Sequence, residues 1–336
     1  MLISIVIPTY NEEKDIRRTV DAVLALTYAN KEIIVVDDST DRTPQILAEY
    51  EALGVRVIRR GNRRNGCCGA RNLGILEAKG EVVLLLNGDV VLTPDFLERI
   101  VPHYQAGVDF VVVESKVLNQ ESLYARYVGA MADAQYAGQD WLMWSEGFSC
   151  RRSAAIATGL IPGDYPIPFC RDYLIGVCLS QAGYGRRLDR TLVAGHIAPH
   201  TLGEYWRVRK MRGRISALFK FFIDGVPLPL LPVRIALKNL RALAGIVLIV
   251  PLFAQSMNAA AHSPRGMGDA AGFWIAGAIE RLAYLVGEWS GFAAICRKVV
   301  SRNLPLSETL GHCSQWRNWL GERHRVYTSK STHVDT

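Results

Sequence analysis

One stretch decides the fold class: Val82-Val83-Leu84-Leu85-Leu86-Asn87-Gly88-Asp89-Val90. Its continuous apolar run predicts a strand that is buried on both faces, as in a parallel sheet. Ligands of open α/β sheets gather beyond the carboxyl ends of such strands, and Asp89 follows this strand directly. Asp89 is therefore a candidate ligand for a metal that holds a diphosphate. In isolation, Asn87-Gly88-Asp89 is equally compatible with an ordinary turn, because each of these residue types favours turns.

A second apolar strand, residues 3–7, opens the chain and is stopped by Pro8-Thr9-Tyr10-Asn11-Glu12-Glu13. A dinucleotide-binding protein would carry a glycine-rich turn here, so that backbone could approach a pyrophosphate. This segment has no such glycines, which disfavours a Rossmann dehydrogenase. The alternative is structural: Thr9 or Asn11 caps the helix that is predicted to follow.

A third strand, Glu32-Ile33-Ile34-Val35-Val36, ends on Asp37-Asp38-Ser39-Thr40-Asp41. Because side chains alternate at a strand end, one of Asp37 and Asp38 is expected to face a ligand. Its neighbour then binds backbone or caps the helix predicted to begin near Thr43. The ligand-facing carboxylate would hold a base or ribose edge. Read alone, the segment is also compatible with an ordinary loop and helix cap.

A fourth segment, Asn65-Gly66-Cys67-Cys68-Gly69-Ala70-Arg71-Asn72-Leu73-Gly74, gives way to a predicted helix. Arg71 lies in the first turns of that helix. Backbone donors at a helix start together with a guanidinium favour an anionic ligand, although a solvated surface arginine is the simpler interpretation.

These four segments together resemble the family 2 glycosyltransferases, which have the GT-A fold. The resemblance implies an α/β fold with a Rossmann-like mixed sheet flanked by helices. It also implies Mg²⁺ or Mn²⁺ as cofactor, inversion at the anomeric carbon, and Asp89 as metal ligand. Asn87 departs from the family's Asp-any-Asp motif, in which the first residue is aspartate. The donor-binding residues implied by the resemblance are Pro8, Tyr10, Glu12, Asp37, Asp38, Arg71, Asn87 and Gly88.

Two later segments extend the resemblance through roughly the first two thirds of the chain. Trp144-Ser145-Glu146-Gly147-Phe148-Ser149-Cys150-Arg151-Arg152 resembles the strand that passes under the donor sugar and acceptor. Phe169-Cys170-Arg171-Asp172-Tyr173-Leu174 stands where the family carries an acid pair, whose second member is the catalytic base. Asp172 keeps that second position, and Arg171 replaces the first acid. The alternative is an exposed acid in the first turn of a helix.

The apolar strand predicted near residues 192–196 ends with two imidazoles, His196 and His200. The family often has a metal-binding histidine here, and His196 fits its spacing better, although a histidine after a strand is more commonly structural. In the basic run that follows, Arg209 and Arg212 are candidate diphosphate contacts. This run resembles the Gln-any-any-Arg-Trp stretch of processive relatives but lacks its glutamine and tryptophan, so processive polymer synthesis is not expected. The run would also suit an anionic membrane surface or a solvated helix face.

The composition fits one catalytic unit with an appendage: 336 residues, 49% hydrophobic, with a formal charge of +7. The positive charge would permit nucleic-acid binding, but no recognition motif accompanies it, so no nucleic-acid partner is expected. Seven cysteines form no zinc spacing or secreted disulfide framework, which suits a reducing cytoplasm. The chain enters a strand at once, and no signal peptide is evident.

From about residue 226 the chain becomes proline-broken and then apolar. Arg234, Lys238 and Arg241 share a predicted helix face that would lie at a bilayer interface. The apolar run 242–254 contains Pro251 and is shorter than the ~20 residues that a simple span needs. A second run, 270–287, contains two charged residues. We expect peripheral or interfacial attachment, with a spanning hairpin or a soluble helical cap as alternatives.

The sequence thus predicts four regions. Residues 1–92 form the nucleotide-sugar-binding half, 93–203 the acceptor-binding half, 204–300 a basic and apolar membrane-associated helical region, and 301–336 a polar tail. The predicted function is metal-dependent transfer of a sugar from a nucleoside diphosphate sugar to a lipid-linked or surface-glycan acceptor at the cytoplasmic face of the cell membrane. The alternatives are a noncatalytic nucleotide-sugar-binding or scaffold protein, and a sugar nucleotidyltransferase. The absence of a glycine-rich, basic N-terminal loop disfavours the latter.

Overall fold

A computed structural model of the chain describes residues 1–60, 66–136, 138–140, 144, 146–162, 167 and 172–302. Two compact units make up the chain. The sheet unit comprises Met1–Leu118 and Gln139–Ile197. The helical unit comprises Asn119–Gly138 and the chain from Ala198 onward. Two sequence predictions, the replacement at Arg171 and the polar tail beyond residue 302, lie outside the described residues.

The sheet unit contains one eight-stranded mixed sheet with the strand order β3-β2-β1-β4-β7-β6-β8-β5. The predicted α/β fold class, a mixed sheet flanked by helices, is confirmed. The strands are β1 (Ile3–Thr9), β2 (Lys31–Asp37), β3 (Val55–Arg59), β4 (Val82–Leu85), β5 (Val90–Leu92), β6 (Phe110–Val117), β7 (Phe148–Arg151) and β8 (Arg186–His196).

The first four strands form the parallel half of the sheet. The strands β1 and β4 are buried along their whole length, as the continuous apolar runs predict. In the register of β1 and β2, Thr9 lies opposite Asp37, and in that of β1 and β4, Val6 lies opposite Leu85. The residues that follow β1, β2 and β4 therefore emerge at the same edge of the sheet.

The other half of the sheet is built mainly from antiparallel pairs. The strand β7 runs antiparallel to both β4 and β6, whereas β6 and β8 are parallel. The short strand β5 pairs antiparallel with β8, so that Val90 lies opposite His196. This pairing brings the segment after β4 to the end of β8.

Six helices of the sheet unit connect the strands within the described residues. The helix α3 packs directly on β1, because a Cβ atom at Gly74 would lie 2.2 Å from Val6 Cγ1. These helices are α1 (Ile16–Leu24), α2 (Thr43–Glu51), α3 (Gly66–Glu77), α4 (Phe96–Gln105), α6 (Arg152–Ala157) and α7 (Leu174–Gln181).

The helical unit is built around close packing of two long helices. It contains α5 (Leu123–Tyr136), α8 (Leu202–Phe222), α9 (Leu231–Val247), α10 (Val250–Ala260) and α11 (Ala270–Arg302). The backbones of α8 and α11 meet at glycines: a Cβ atom at Gly213 would lie 2.1 Å from the Tyr284 carbonyl oxygen, and one at Gly287 2.0 Å from that of Lys210. Thr201 and Glu204 form a capping box at the start of α8.

The apolar run at residues 242–254 is divided between two helices. The helices α9 and α10 are separated at Leu248 and Ile249, and Pro251 lies in the first turn of α10. Among the residues that the structure describes, no one helix meets the length and hydropathy needed to cross a bilayer. The pair Leu231–Val247 and Val250–Ala260, bent by 77°, meets them only when the two helices are taken together.

The cysteines differ in redox state. Cys67 is disulfide-bonded, a feature that the cysteine spacing does not indicate. By contrast, Cys68, Cys150, Cys178 and Cys296 are free thiols.

Candidate active site

The loop after β1 is joined to the loop after β2 by hydrogen bonds. The Thr9 hydroxyl donates to Asp37 Oδ1 over 2.9 Å, and the Ser39 backbone N–H donates to the same oxygen over 3.1 Å. Asn11 Oδ1 accepts from the Thr40 backbone N–H over 2.8 Å. Thr9 and Asn11 therefore do not cap α1, which begins after Asp15 without a side-chain cap. Asp37, the first of the two predicted acids, is the one that binds backbone.

The second predicted acid, Asp38, faces a guanidinium. Arg60 Nε donates to Asp38 Oδ1 over 3.1 Å, and Arg60 Nη2 contacts Asp38 Oδ2. The same Arg60 Nη2 donates to the Gly66 carbonyl at the start of α3 over 2.9 Å. A third acid holds the start of α2, because Asp41 Oδ1 accepts from the Thr43 backbone N–H over 3.0 Å. Asp37, Asp38 and Asp41 therefore share the contacts that were predicted for Asp37 and Asp38 alone.

Two donor-site residues predicted in the first loop differ in exposure. Pro8 is buried in β1 opposite Val36, and the strand continues to Thr9, two residues beyond the predicted end. Tyr10 is exposed at the end of the strand. A donor contact of either residue stays a prediction.

Arg71 joins the Asn87 motif to Asp172. Its side chain is only 3% exposed, yet Nη2 donates to Asn87 Oδ1 and lies 3.2 Å from Asp172 Oδ2. The next residue, Asn72, is structural: its amide donates to the Ile161 carbonyl over 2.8 Å and accepts from the Ile161 N–H over 2.9 Å. The structure therefore brings three of the predicted site residues together within the sheet unit.

The Asn87-Gly88-Asp89 segment is fixed by its backbone and by Glu12. The Thr19 hydroxyl donates to the Gly88 carbonyl over 2.9 Å, and the Ile197 N–H donates to the Asp89 carbonyl over 3.0 Å. A Cβ atom at Gly88 would lie 2.9 Å from Glu12 Cγ. Position 88 is glycine because Glu12 occupies the space that a side chain would need.

Burial, with a smaller contribution from neighbouring acids, raises the pKa of three carboxyl groups at this site. Burial raises the pKa of Asp89 to about 6, with a further increase from Asp15 and an opposing effect of Arg71. Burial and the charge of Asp89 are the main reasons why the pKa of Glu12 is raised to about 8. Burial and then the charges of Asp172 and Asp89 raise the pKa of Glu146 to about 7. Burial is the largest cause in each case, so these carboxyl groups hold protons more readily than free ones, and a cation bound nearby would favour their ionised form.

Glu146 is a site residue that the sequence reasoning missed. Its Oε1 lies 3.5 Å from Asn87 Nδ2. The chain around it is anchored, since Trp144 Nε1 donates to the Val113 carbonyl over 2.6 Å. The next residue, Gly147, has a φ of +73°, and its Cβ would lie 2.8 Å from Val113 Cγ2. The sequence signal for this residue was an acid followed by glycine, directly before a buried strand.

Asp172 lies just before α7 and is the more accessible member of its ion pair. Its side chain is 30% exposed, and its Oδ1 accepts from the Tyr173 backbone N–H over 3.0 Å. The remaining oxygen is the one beside Arg71. This arrangement leaves Asp172 accessible to a substrate while Arg71 orients its carboxylate.

The two histidine candidates lie in different surroundings. His196 Nδ1 is 3.2 Å from Ser115 Oγ, and His196 lies opposite Val90 in the sheet. The residue that bonds to the Asp89 backbone is Ile197, which follows His196 in the chain. Neighbouring side chains on a strand alternate between faces. His200, in the helical unit, has Nδ1 3.3 Å from Glu204 Oε2. A metal-binding role for His196 stays a prediction.

Arg209 and Arg212 lie on α8 in the helical unit. Arg209 is buried and has Nη1 3.2 Å from Glu280 Oε1, with its guanidinium 5.0 Å from the centre of the Tyr205 ring. Arg212 is exposed. A diphosphate contact of either residue stays a prediction.

A divalent cation can be tested against the donor atoms at the sheet edge. Asp89 Oδ1 is buried and has no hydrogen-bond partner among the described residues. Among the residues that the structure describes, no group of three or more His, Cys, Asp or Glu side chains is suited to a metal. Mg²⁺ is commonly held by one or two carboxylates plus substrate phosphates and water, so a single orphaned carboxylate oxygen fits such an ion.

Comparisons with known proteins identify relatives of the chain. Residues 4–161 match the family model "Glycosyl transferase family 2". The chain is 27% identical over 182 residues to the Escherichia coli UDP-Glc:alpha-D-GlcNAc-diphosphoundecaprenol beta-1,3-glucosyltransferase WfgD, covering 54% of this chain and 70% of that protein. It is 24% identical over 236 residues to the Staphylococcus aureus poly-beta-1,6-N-acetyl-D-glucosamine synthase, covering 66% of this chain and 57% of that protein.

The chain spans between 16% and 41% of the length of four further curated glycosyltransferases that it matches. Among solved structures, the mannosyltransferase PcManGT from Pyrobaculum calidifontis, in complex with GDP-Man and Mn²⁺, is similar with a TM-score of 0.49 and 18% identity. That comparison covers 99% of this chain and 87% of the other. The family match spans the segments that supply Asp37, Arg71, Asn87 and Asp89. The segment of residues 4–161 therefore carries the sequence pattern of the family 2 glycosyltransferases.

Proposed function

We propose that this glycosyltransferase is an inverting enzyme that uses Mg²⁺ or Mn²⁺ to transfer a sugar from a nucleoside diphosphate sugar to a lipid-linked or surface-glycan acceptor. The observation that carries the proposal is the link made by Arg71. This buried guanidinium joins Asn87, at the end of a buried strand, to the accessible carboxylate of Asp172. A candidate base and a candidate cation ligand thus belong to one connected site.

Asp172 is the proposed catalytic base. Its carboxylate accepts the proton of the acceptor hydroxyl as the hydroxyl oxygen forms a bond to the anomeric carbon. The bond from that carbon to the donor diphosphate breaks, and the nucleoside diphosphate leaves with the electron pair. Attack from the face opposite the leaving group inverts the anomeric centre. Arg71 keeps the Asp172 carboxylate oriented for this proton transfer.

Asp89 is the proposed protein ligand for the divalent cation, with His196 as a second candidate. Such a cation supplies positive charge next to the departing diphosphate. Glu12, which packs against Gly88, holds the Asn87-Gly88-Asp89 turn in place. Asp37, Asp38 and Tyr10 lie at the ends of β1 and β2 at the same sheet edge and are the proposed nucleoside contacts.

The acceptor is inferred from relatives and from the helical unit. One relative's name states a diphosphoundecaprenol-linked acceptor, and another makes a polysaccharide. On α9 and at the α9–α10 junction, Leu240 is 63% exposed and Val247 is 77% exposed, and the exposed Arg234 and Arg241 lie on the same helix. An apolar surface with nearby cations suits an anionic bilayer, so attachment at the cytoplasmic membrane face is part of the proposal.

The donor is tested by nucleoside diphosphate release from a panel of UDP-, GDP- and dTDP-sugars, with Mn²⁺ or with EDTA. The proposal expects release that depends on Mn²⁺ and is strongest for one donor. Donor binding without turnover, even with membrane lipids added, would instead support a noncatalytic nucleotide-sugar-binding protein. Asn87 is the observation that favours that second candidate, because it removes a carboxylate from the motif.

Membrane attachment is tested by sedimentation with phosphatidylglycerol-containing vesicles. Leu240→Asp and Val247→Asp place a charge on the exposed apolar surface and are expected to lower the vesicle-bound fraction. Leu53→Asp is the matched control, since Leu53 is 62% exposed in the sheet unit. Equal sedimentation of all three variants with the wild type would contradict this attachment surface.

A further inference from the structure

The carboxylate of Glu146 lies beside the motif at residues 87–89, which has one carboxylate fewer than the family's motif. The family's motif begins with aspartate, whereas this chain has asparagine at that position. Asn87 uses its oxygen to accept from Arg71 and points its amide nitrogen at Glu146 Oε1, 3.5 Å away. An aspartate at position 87 would place a second carboxylate at that distance from Glu146, and like charges so close repel. Asn87 and Glu146 are therefore a matched pair.

The position of Glu146 is also built by the fold. Trp144 is anchored to the Val113 carbonyl, and Gly147 adopts a φ of +73°. At Gly147 a Cβ atom would lie 2.8 Å from Val113 Cγ2 and 3.0 Å from Ala194 Cβ, so only glycine fits. These contacts hold Trp144 and Gly147, which lie close to Glu146 in the chain. Its carboxylate lies beside Asn87, which precedes Asp89 by two residues in the motif.

We propose that Glu146 supplies the second carboxylate of the cation site, in place of the one that the Asn87-Gly88-Asp89 motif lacks. This inference rests on the proposed function, because it assumes that Asp89 holds a divalent cation. Two carboxylates reaching one site from different strands provide the negative charge that a hard divalent cation requires. Compared with the family's motif, one acid lies just before β7 and not just after β4, and the number of acids is the same.

The test is a charge-exchange cycle read out as Mn²⁺ binding, independently of catalysis. Free Mn²⁺ is measured by electron paramagnetic resonance while the full chain is titrated in the presence of UDP or GDP. Glu146→Gln is expected to weaken Mn²⁺ binding by about tenfold to a hundredfold, the usual effect of changes around metal ligands. Asn87→Asp in the Glu146→Gln background is expected to recover most of that loss. Glu146→Asp, which keeps the charge, is expected to bind more tightly than Glu146→Gln.

Two controls separate the possible failures. Glu49→Gln changes an exposed acid of the same unit, paired with Arg17, and is expected to leave Mn²⁺ binding unchanged. If the wild type binds no Mn²⁺ with either nucleotide, both the cation role in the proposed function and this inference are overturned. If the wild type binds Mn²⁺ and Glu146→Gln binds it equally well, only the inference is overturned. Failure of Asn87→Asp to recover binding would show that the two positions do not exchange one acid.

Discussion

Replacement of Arg71 by methionine tests the link between the Asn87 motif and Asp172. Arg71 is 3% exposed, donates a hydrogen bond to Asn87 and lies 3.2 Å from Asp172 Oδ2. The methionine variant loses both interactions. A hydrogen bond that involves a charged group contributes about 1.5–3 kcal/mol. Because the Asp172 side chain is 30% exposed, solvent weakens the ion pair, and the lower part of this range applies. Arg71→Met is therefore expected to lower the free energy of unfolding by about 2 kcal/mol.

The assay is urea denaturation followed by circular dichroism, carried out as a double-mutant cycle with Asp172→Asn. Once Arg71 is methionine, Asp172→Asn has no ion pair left to remove, so the two effects are expected to be non-additive by about 1 kcal/mol. Arg18→Met is the control, because Arg18 makes only an exposed pair with Asp15 at 3.5 Å. Such a surface pair is worth about 0–1 kcal/mol. Additive effects of Arg71→Met and Asp172→Asn would refute the proposed coupling.

Two further predictions concern the stability of the fold. Gly74→Ala is expected to destabilise the protein by about 1–3 kcal/mol, because the added methyl group overpacks against Val6. Gly203→Ala lies in open space on a helix and is expected to stabilise the protein by up to about 1 kcal/mol. Thermal melting temperatures of the two variants that shift in the same direction would contradict this. At Asp189, burial raises the pKa, but hydrogen bonds from Thr191 and His103 outweigh it and lower the pKa from 3.8 to about 2. The folded form thus holds the ionised carboxylate more favourably, which contributes about 2 kcal/mol of stability above pH 5 that is lost as the pH falls from about 4 towards 2. Asp189→Asn is expected to be clearly less destabilising at pH 2.5 than at pH 6 in urea unfolding, and an equal effect at both pH values would rule out this linkage.

The strands that carry the site could be predicted because their sequence pattern is set by burial alone. Runs such as residues 82–86 are apolar at every position, which is what a strand covered on both faces requires. The polar residues that follow them were predicted to meet at one sheet edge, and the register of β1, β2 and β4 bears this out. The helix that carries Arg71 was likewise predicted, but α3 begins at Gly66, so the glycine-rich residues lie inside the helix and not before it.

The pairings between side chains could not be predicted, because they join residues that are distant in the chain. Thr9 and Asn11 looked like helix caps, but β1 and β2 lie side by side and the loops bond to each other instead. The acid Glu146 precedes a short strand and has no periodic pattern around it. The charge of Arg209 suggested an anionic ligand, whereas the fold pairs it with Glu280 on another helix.

The proposed role of Asp172 is tested most directly by single-turnover sugar transfer with Asp172→Asn, using the donor identified in the panel. The transfer rate is expected to fall by about 10²–10⁴, the usual contribution of a general base, while donor affinity stays close to that of the wild type. Asp109→Asn is the matched control, since Asp109 is also paired with an arginine, Arg151, in the sheet unit and should leave the rate unchanged. A transfer rate in Asp172→Asn close to that of the wild type would contradict the assignment of Asp172 as the catalytic base.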